Sequence, residues 1–371
     1  MRLVNNIKTF WQREKTQLAY QELKKIAKDN PYKFPWWLLT TATSVSSFID
    51  HPIIGNAKLN ELGLHEARVK LAAKLTEQRR EKLAKFLTVE DVAEFQKNGF
   101  ICKENFLPED QFQALKNELL AKSLPTRETL QGDTITRRMA LDYRSVEQLP
   151  ETHKLLSSSQ WQNLINYVGG FKIEPMYYVQ VILSQVKKAR PDPQTSLHSD
   201  TFHSSMKAWL FLTDVAEDEG PFVYVPGSHI MNDKRLAWER QRVLNIKKAD
   251  KMSRRGSFRI EQKDLASLGY GELRKFAVKA NTLVIGDTYG FHARGESVRP
   301  STRIELWAFA RRNPFMPWVG LNPASLPFLK NRVIPIYWRY LDYLEEKQIK
   351  DNPWRKVGSR LPTDPPQILE K

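Results

Sequence analysis

The feature of this sequence that most restricts its fold is a series of short apolar runs, rich in β-branched and aromatic residues, in its second half. Turns containing Gly, Pro, Asp and Asn separate the runs, and no long amphipathic helices alternate with them. This pattern predicts a mainly β fold with flanking helices, and we interpret it as a double-stranded β-helix (a jelly roll, cupin-like). The runs are 176–186, 209–213, 222–225, 282–285 and 304–309.

Two histidines and an aspartate lie close to the ends of such runs. His198 and Asp200 have one residue between them, and His292 comes shortly after the run that ends at residue 285. Early and late strands of a jelly roll lie side by side, so these side chains can meet at the mouth of the barrel. Two imidazoles and a carboxylate can occupy one face of an octahedral Fe(II) ion and leave three positions open. The alternative is a chance His-x-Asp pair in a chain with 7 histidines.

At these residues the chain resembles the phytanoyl-CoA dioxygenase family of Fe(II)/2-oxoglutarate oxygenases. The resemblance covers roughly residues 88–312 and leaves the first 87 residues outside it. An ordered series of segments carries it: Asn98-Gly99-Phe100, His198-Ser199-Asp200, the strand with Trp209, Gly220-Pro221, Val225-Pro226-Gly227-Ser228-His229, Gly286-Asp287, His292 and Arg303. The resemblance implies an enzyme that uses Fe(II), 2-oxoglutarate and O2, hydroxylates its substrate, and releases succinate and CO2.

By this resemblance His198, Asp200 and His292 would bind the iron. Arg303 would bind the distal carboxylate of 2-oxoglutarate, since a guanidinium fork matches a carboxylate with two charge-assisted hydrogen bonds and stays charged. The acid at position 200 favours hydroxylation, because relatives that halogenate carry a small residue there.

Three more residues are assigned to the co-substrate by the same resemblance. Trp209 stands where the family has a tryptophan beside the co-substrate, with a role in the core as the alternative. Arg138 would place a second cation there, and Gln180 would line the same strand mouth. Arg294 departs from the small residue that often follows the distal histidine by two positions, which leaves that edge of the site open.

The first 87 residues are interpreted as a basic helical appendage, and residues 88–371 as the catalytic domain. Leu3, Ile7 and Trp11 recur at helical spacing among lysines and arginines, a pattern that suits a membrane interface or docking on the protein itself. Trp36 and Trp37, close to Lys33, suit lipid headgroups or a hydrophobic plug. The basic run at Arg79, Arg80, Lys82 and Lys85 is interpreted as a solvated helix face.

A formal net charge of +16 favours an anionic partner. Residues 232–279 form a basic insertion, interpreted as a lid over an acidic substrate or as a solvated surface segment. His203 and His229 are expected to be structural. The C-terminal residues, with Tyr337-Trp338-Arg339-Tyr340, predict a helix followed by an extended tail.

The substrate that fits this charge best is a membrane glycolipid, such as a lipopolysaccharide sugar like the acidic octulosonic sugar Kdo. An acyl-CoA or a small acidic metabolite is the second hypothesis, and a catalytically silent peripheral membrane scaffold is the third. No zinc finger, RNA-recognition pattern or basic repeat is evident, so nucleic acid is not expected. One cysteine and no evident secretory signal predict a cytoplasmic protein, free or peripheral on the inner membrane.

Overall fold

The structure, a computed structural model, describes residues 2–326 and 328–369, with side chains from residue 13 onwards. Most of its helices come before residue 170, and a second group lies between the strands of the sheets. The helices are α1 (Arg2–Asp29), α2 (Phe34–Thr41), α3 (Ala57–Glu61), α4 (Leu64–Ala84), α5 (Val89–Asn98), α6 (Glu109–Ala121), α7 (Tyr143–Val146), α8 (Pro150–Ser157), α9 (Ser159–Gly169), α10 (Asp233–Leu244), α11 (Lys251–Arg254), α12 (Gln262–Leu268) and α13 (Val333–Glu346).

The strands form two antiparallel sheets, one large and one small. They are β1 (Phe100–Lys103), β2 (Leu124–Gln131), β3 (Thr134–Ala140), β4 (Met176–Ser184), β5 (Met206–Phe211), β6 (Phe222–Tyr224), β7 (Arg274–Phe276), β8 (Leu283–Asp287), β9 (His292–Arg294), β10 (Ser301–Ala310) and β11 (Arg355–Arg360). The large sheet has the order β1-β8-β5-β10-β4-β3-β2-β11, and the small sheet has the order β7-β6-β9.

Each face of the large sheet buries a separate apolar layer. On one face, α5, α6, α8 and α9 cover a core that contains Trp161, Val179 and Leu210. On the other face, Trp209 and Trp307 pack with Phe222 of the small sheet. Strand residues alternate between the two faces, so a strand buried on both sides reads as a continuous apolar run.

The predicted β sheets with flanking helices are therefore present, and each predicted run lies in or overlaps a strand. Sequence reasoning did not identify β2, β7, β9 or β11. Strand β11 carries the sequence Arg355–Arg360, which has no apolar alternation. It pairs with β2 at the edge of the large sheet, where main-chain hydrogen bonds hold it without a buried side.

The interpretation of Arg79 and Arg80 as a solvated face is wrong. The Arg79 side chain is 0% exposed and donates to the carbonyl oxygens of Gly170, Pro314 and Met316 at 2.6–3.1 Å. Arg80 donates to the Val168 carbonyl at 2.6 Å and pairs with Asp287 at 2.8 Å. Both guanidiniums therefore bond α4 to the main domain, because buried carbonyl groups of its loops need donors.

In the N-terminal segment, the backbone of α1 is helical as expected, but the side chains of Leu3, Ile7 and Trp11 lie outside the described residues. In α2, Trp36 and Leu39 are 64% and 62% exposed, so Trp36 does not form a plug against the main domain. No helix among the described residues combines the length and the apolar character that crossing a bilayer requires.

The basic insertion at 232–279 folds into α10, α11, α12 and β7. Arg235 is fully buried there, because its guanidinium pairs with Glu239 at 2.9 Å and donates to the backbone carbonyl of Tyr289 at 3.0 Å. Lys247, Lys248 and Lys251 are exposed. None of the described residues that line the site cavity comes from this insertion, although the backbone of Arg259 forms an antiparallel bridge with His198.

Candidate active site

The two histidines are joined through their backbones. The His198 N–H donates to the carbonyl of His292 at 3.0 Å, and the His292 N–H donates back to His198 at 2.9 Å. Asp200 is fixed beside them, because its N–H donates to the Thr288 carbonyl at 2.9 Å. Antiparallel pairing of two distant segments thus brings three predicted ligands to one place, as the jelly-roll argument requires.

The side chains of these three residues are arranged to receive a cation. Ligand atoms of His198, Asp200 and His292 all lie within 4.8 Å of one another. Asp200 Oδ1 is 3.7 Å from Nε2 of His198 and 3.6 Å from Nε2 of His292. Nε2 of His292 is buried without a hydrogen-bond partner among the described residues. This donor set fits a divalent iron ion.

The other nitrogen of each imidazole makes a hydrogen bond that orients the ring. Nδ1 of His198 is 2.7 Å from the Ser196 carbonyl, and Nδ1 of His292 is 2.9 Å from the Gly290 carbonyl. A carbonyl only accepts, so each Nδ1 carries the proton and each Nε2 presents its lone pair to the site. Burial, with His292 and Arg259 adding, holds the pKa of His198 well below its ordinary value, so this ring is neutral.

Sequence reasoning missed Lys207, which forms an ion pair with the carboxylate of Asp200. Its Nζ lies 2.6 Å from Oδ2 of Asp200, and both side chains are less than a fifth exposed. Burial alone would raise the pKa of Asp200, but attraction by the Lys207 ammonium holds that pKa well below its ordinary value. A lysine within a strand usually indicates an outward-facing side chain, so the pattern gave no signal for Lys207.

Four polar side chains form a row across the inner face of the large sheet. Arg303 lies two residues before Glu305 on β10, and its Nε is 2.9 Å from the Glu305 carboxylate. Gln180 donates to Glu305 at 2.6 Å and accepts from Nε of Arg138 at 3.3 Å. The register aligns Arg138 with Gln180 and Gln180 with Glu305 on neighbouring strands. The row therefore connects two arginines that the sequence assigned to the co-substrate.

Arg294 lies at the far end of β9, and its guanidinium forms an ion pair with Asp192 and donates to the Thr136 hydroxyl. Its side chain lines the edge of the site for which the sequence analysis made no assignment. Trp209 packs on Phe222, with ring centroids 4.2 Å apart, and is 5% exposed. Trp209 is therefore both a core residue and part of the cavity wall.

These residues surround one cavity of about 320 Å³, between the large and the small sheet. All seven residues that the sequence assigned to the site line it: Arg138, Gln180, His198, Asp200, Trp209, His292 and Arg303. Lys207, Arg294, Trp307 and Trp354 line it as well. Trp354 comes from the segment before β11, a position for which the sequence offers no signal.

His203 and His229 lie elsewhere. They line a separate cavity of about 450 Å³ between α4 and the main domain. Burial lowers the pKa of His203 to about 3 and that of His229 to about 4. Neutral, buried imidazoles outside the cation-binding cluster agree with the structural role expected for both.

Comparison with known proteins gives a family match within this domain. Residues 95–263 match the family described as phytanoyl-CoA dioxygenase, a segment that includes His198 and Asp200. No curated protein matches the chain.

Solved structures give only remote matches. The epimerase SnoN in complex with Fe3+, alpha ketoglutarate and nogalamycin RO is 15% identical over 73% of this chain and 94% of its own, with a TM-score of 0.39. HygX from Streptomyces hygroscopicus with nickel and 2-oxoglutarate is 18% identical over 60% and 86%, with a TM-score of 0.38. EctD from S. alaskensis with 2-oxoglutarate and 5-hydroxyectoine is 16% identical over 67% and 84%, also with a TM-score of 0.38. Likeness at this level carries no conclusion.

Proposed function

The chain belongs, through residues 95–263, to the phytanoyl-CoA dioxygenase family of Fe(II)/2-oxoglutarate oxygenases, and on that premise we propose that it hydroxylates an anionic, membrane-associated substrate. The observation that carries the proposal is the cavity itself. A cluster of two imidazoles and a carboxylate shares it with four cationic side chains: Arg138, Lys207, Arg294 and Arg303. The two sheets around it would form the jelly roll of residues 88–371, with residues 1–87 as an appendage.

In this proposal His198, Asp200 and His292 hold the iron, and Arg303 binds the distal carboxylate of 2-oxoglutarate. Nη1 of Arg303 donates to the Gly220 carbonyl at 2.7 Å, which fixes the guanidinium at the cavity wall. Trp209, Arg138 and Gln180 line the same cavity. Iron, 2-oxoglutarate and O2, when bound, would supply the oxidation that inserts one oxygen atom into a C–H bond of the substrate, and 2-oxoglutarate would be converted to succinate and CO2.

The protein contributes orientation and a water-poor environment. Backbone carbonyls fix both imidazole rings, and Lys207 fixes one oxygen of Asp200. The rings of Trp209 and Phe222 cover one wall and keep water from it. Preorganised ligands and excluded water are what a reactive oxidation needs from its protein.

An anionic membrane surface is the partner that the N-terminal segment suits. Tyr32, Trp36 and Leu39 are 98%, 64% and 62% exposed, and Lys28 and Lys33 are exposed next to them. Aromatic and apolar side chains flanked by lysines match the headgroup region of an anionic bilayer. The protein would then act in the cytoplasm, peripherally on the inner membrane.

This placement favours a membrane glycolipid as the substrate, with the acidic sugar Kdo of lipopolysaccharide as the best fit. An acyl-CoA or a small acidic metabolite would suit the same cationic cavity without needing the membrane. A catalytically silent scaffold would keep the exposed segment and lose turnover.

The deciding experiment incubates the full chain with Fe(II), 2-oxoglutarate and O2 and a fractionated extract of membrane glycolipids. Mass spectrometry should find one lipid class that gains one oxygen, with succinate formed in equal amount. Asp200→Ala and His292→Ala should abolish both signals, because each removes a metal ligand. Succinate formation that depends on substrate but persists in both variants would refute the site.

Membrane binding is tested separately by sedimentation with vesicles of neutral or anionic phospholipid. The double variant Trp36→Ala, Leu39→Ala should lose binding to anionic vesicles, whereas Val298→Ala, which is 70% exposed elsewhere, should not. Binding should weaken as salt rises. Equal sedimentation of the double variant and the wild type would exclude this surface.

A further inference from the structure

Among the described cations of the cavity, Arg138 alone has no acidic partner. Lys207 is paired with Asp200, Arg294 with Asp192, and Arg303 with Glu305. The side-chain hydrogen bond that Arg138 makes is one from Nε to Gln180, a neutral group. The cavity therefore carries one positive charge that no described carboxylate balances.

Aromatic rings lie close to the Arg138 guanidinium. The ring of Trp307 lies 4.3 Å from its central carbon, and the ring of Trp354 lies 4.5 Å from it. Aromatic faces attract a guanidinium and fix its orientation, but they accept no strong hydrogen bond from its N–H groups. Neither Nη atom of Arg138 has a hydrogen-bond partner among the described residues, and the half-buried side chain lines the cavity.

Arg138 is also set apart from Arg303. The register places β3 next to β4 and β4 next to β10, so Arg138 lies two strand spacings from Glu305, about 10 Å at the backbone. Arg303 lies two residues before Glu305 on β10. The side chains of Gln180 and Glu305 therefore stand between the two guanidiniums in the row across the sheet.

We propose that Arg138 is the docking group for an anionic part of the primary substrate, a carboxylate or a phosphate, and not for 2-oxoglutarate. This inference rests on the proposed oxygenase function and assigns the charge that selects its substrate. A planar fork with free donors, packed against two aromatic rings, binds an oxyanion through two parallel charge-assisted hydrogen bonds. This packing limits the movement of the fork before the anion arrives, which reduces the ordering cost of binding.

The test uses the full chain loaded with Fe(II) and 2-oxoglutarate without O2, so that nothing turns over. Isothermal titration calorimetry measures binding of two anionic probes, the sugar carboxylate Kdo and glycerol 3-phosphate, and of the neutral methyl ester of Kdo. The affinity for 2-oxoglutarate is measured in parallel. Tryptophan fluorescence gives a second signal, because Trp307 and Trp354 flank the proposed site.

The wild type should bind at least one anionic probe more tightly than the ester, and a preference for Kdo or for glycerol 3-phosphate identifies the anion as a carboxylate or a phosphate. Arg138→Gln should weaken that probe by about 10- to 100-fold, the effect of losing hydrogen bonds to a charged group. Arg138→Lys keeps the positive charge but not the planar fork, so it should lose less probe affinity than Arg138→Gln. It also replaces Arg138→Gln as the test variant if that variant misfolds. Arg144→Gln, an exposed arginine against the Tyr143 ring, should change nothing.

Two results would overturn the inference. One is probe affinity that does not depend on residue 138, including no detectable binding of either anion by the wild type. The other is a loss of 2-oxoglutarate affinity in Arg138→Gln equal to its loss of probe affinity, which would assign Arg138 to the co-substrate. If the wild type binds neither Fe(II) nor 2-oxoglutarate, the proposed function itself fails, and the inference fails with it.

Discussion

Replacing Lys207 with Met should destabilise the metal-free protein and strengthen its binding of a divalent metal. The Lys207–Asp200 pair has 2.6 Å between charged atoms and side chains that are 18% and 14% exposed. Removing one member of a buried pair leaves the other charge uncompensated, which typically costs about 3 kcal/mol of unfolding free energy. The same ammonium repels a divalent cation at the site.

A bound metal ion takes over the role of neutralising Asp200. The cost of the substitution should therefore shrink to about 1 kcal/mol in the metal-loaded protein. The difference of about 2 kcal/mol corresponds to metal binding that is about 30-fold tighter in the variant. Urea denaturation with and without Mn(II), together with calorimetric titration of Mn(II), measures both quantities.

A matched control is Lys279→Met, which removes the lysine of an exposed Lys–Asp pair at a similar distance of 2.8 Å. It should leave stability and Mn(II) affinity almost unchanged, because water screens that pair. The reasoning would be refuted if Lys207→Met matched the wild type in both stability and Mn(II) affinity. Weaker Mn(II) binding in the variant would refute the repulsion argument and show that Lys207 supports Asp200 as a ligand.

Two further predictions concern the contacts of α4 and the second cavity. Arg80→Met should destabilise the protein by about 3 kcal/mol, because Asp287 loses its buried partner. The control variant Lys82→Met, at an exposed neighbouring position, should have little effect. Equal urea midpoints for the two variants would contradict the buried role of Arg80. The folded-state pKa values of His203 and His229 lie below the ordinary value of 6.5, so the unfolded chain binds more protons than the folded protein as pH falls. Their contribution to stability is therefore complete above about pH 6.5 and is lost as pH falls towards about 3 for His203 and about 4 for His229. The loss is at most about 1.4 kcal/mol per pH unit for each residue. His203→Gln should flatten this dependence in urea titrations between pH 6 and pH 4, and an unchanged slope would show that His203 does not carry it.

The sequence predicted the cluster of two histidines and an aspartate because its signals are local and its geometry follows from topology. His198 and Asp200 have one residue between them, and antiparallel pairing brings His292 to them. The residues that tune the site gave no comparable signal. Lys207 reads as an outward-facing strand lysine, and Trp354 precedes a strand without apolar alternation. Their positions depend on which strands become neighbours, and that information is not local.

The error at Arg79 and Arg80 has a similar cause. A run of charges in a helix is usually solvated, and nothing near these residues shows that buried carbonyls of Gly170 and Pro314 lie opposite. The burial of Arg235 was missed for the same reason, since one of its acceptors, the Tyr289 carbonyl, lies 54 residues away in the chain. Arginines that satisfy remote backbone groups become visible only when the tertiary structure is known.

The reciprocal backbone bonds between His198 and His292 have a consequence for any shortened form of this protein. The segment that matches the family ends at residue 263, so it holds two of the three cation ligands and lacks the strand to which His198 is bonded. A fragment cut there would lose a ligand and, at the same time, the hydrogen bonds that hold another in position. The smallest piece able to capture a metal ion must therefore extend past β9, and past β10 as well, because β10 joins β5 to β4 in the large sheet.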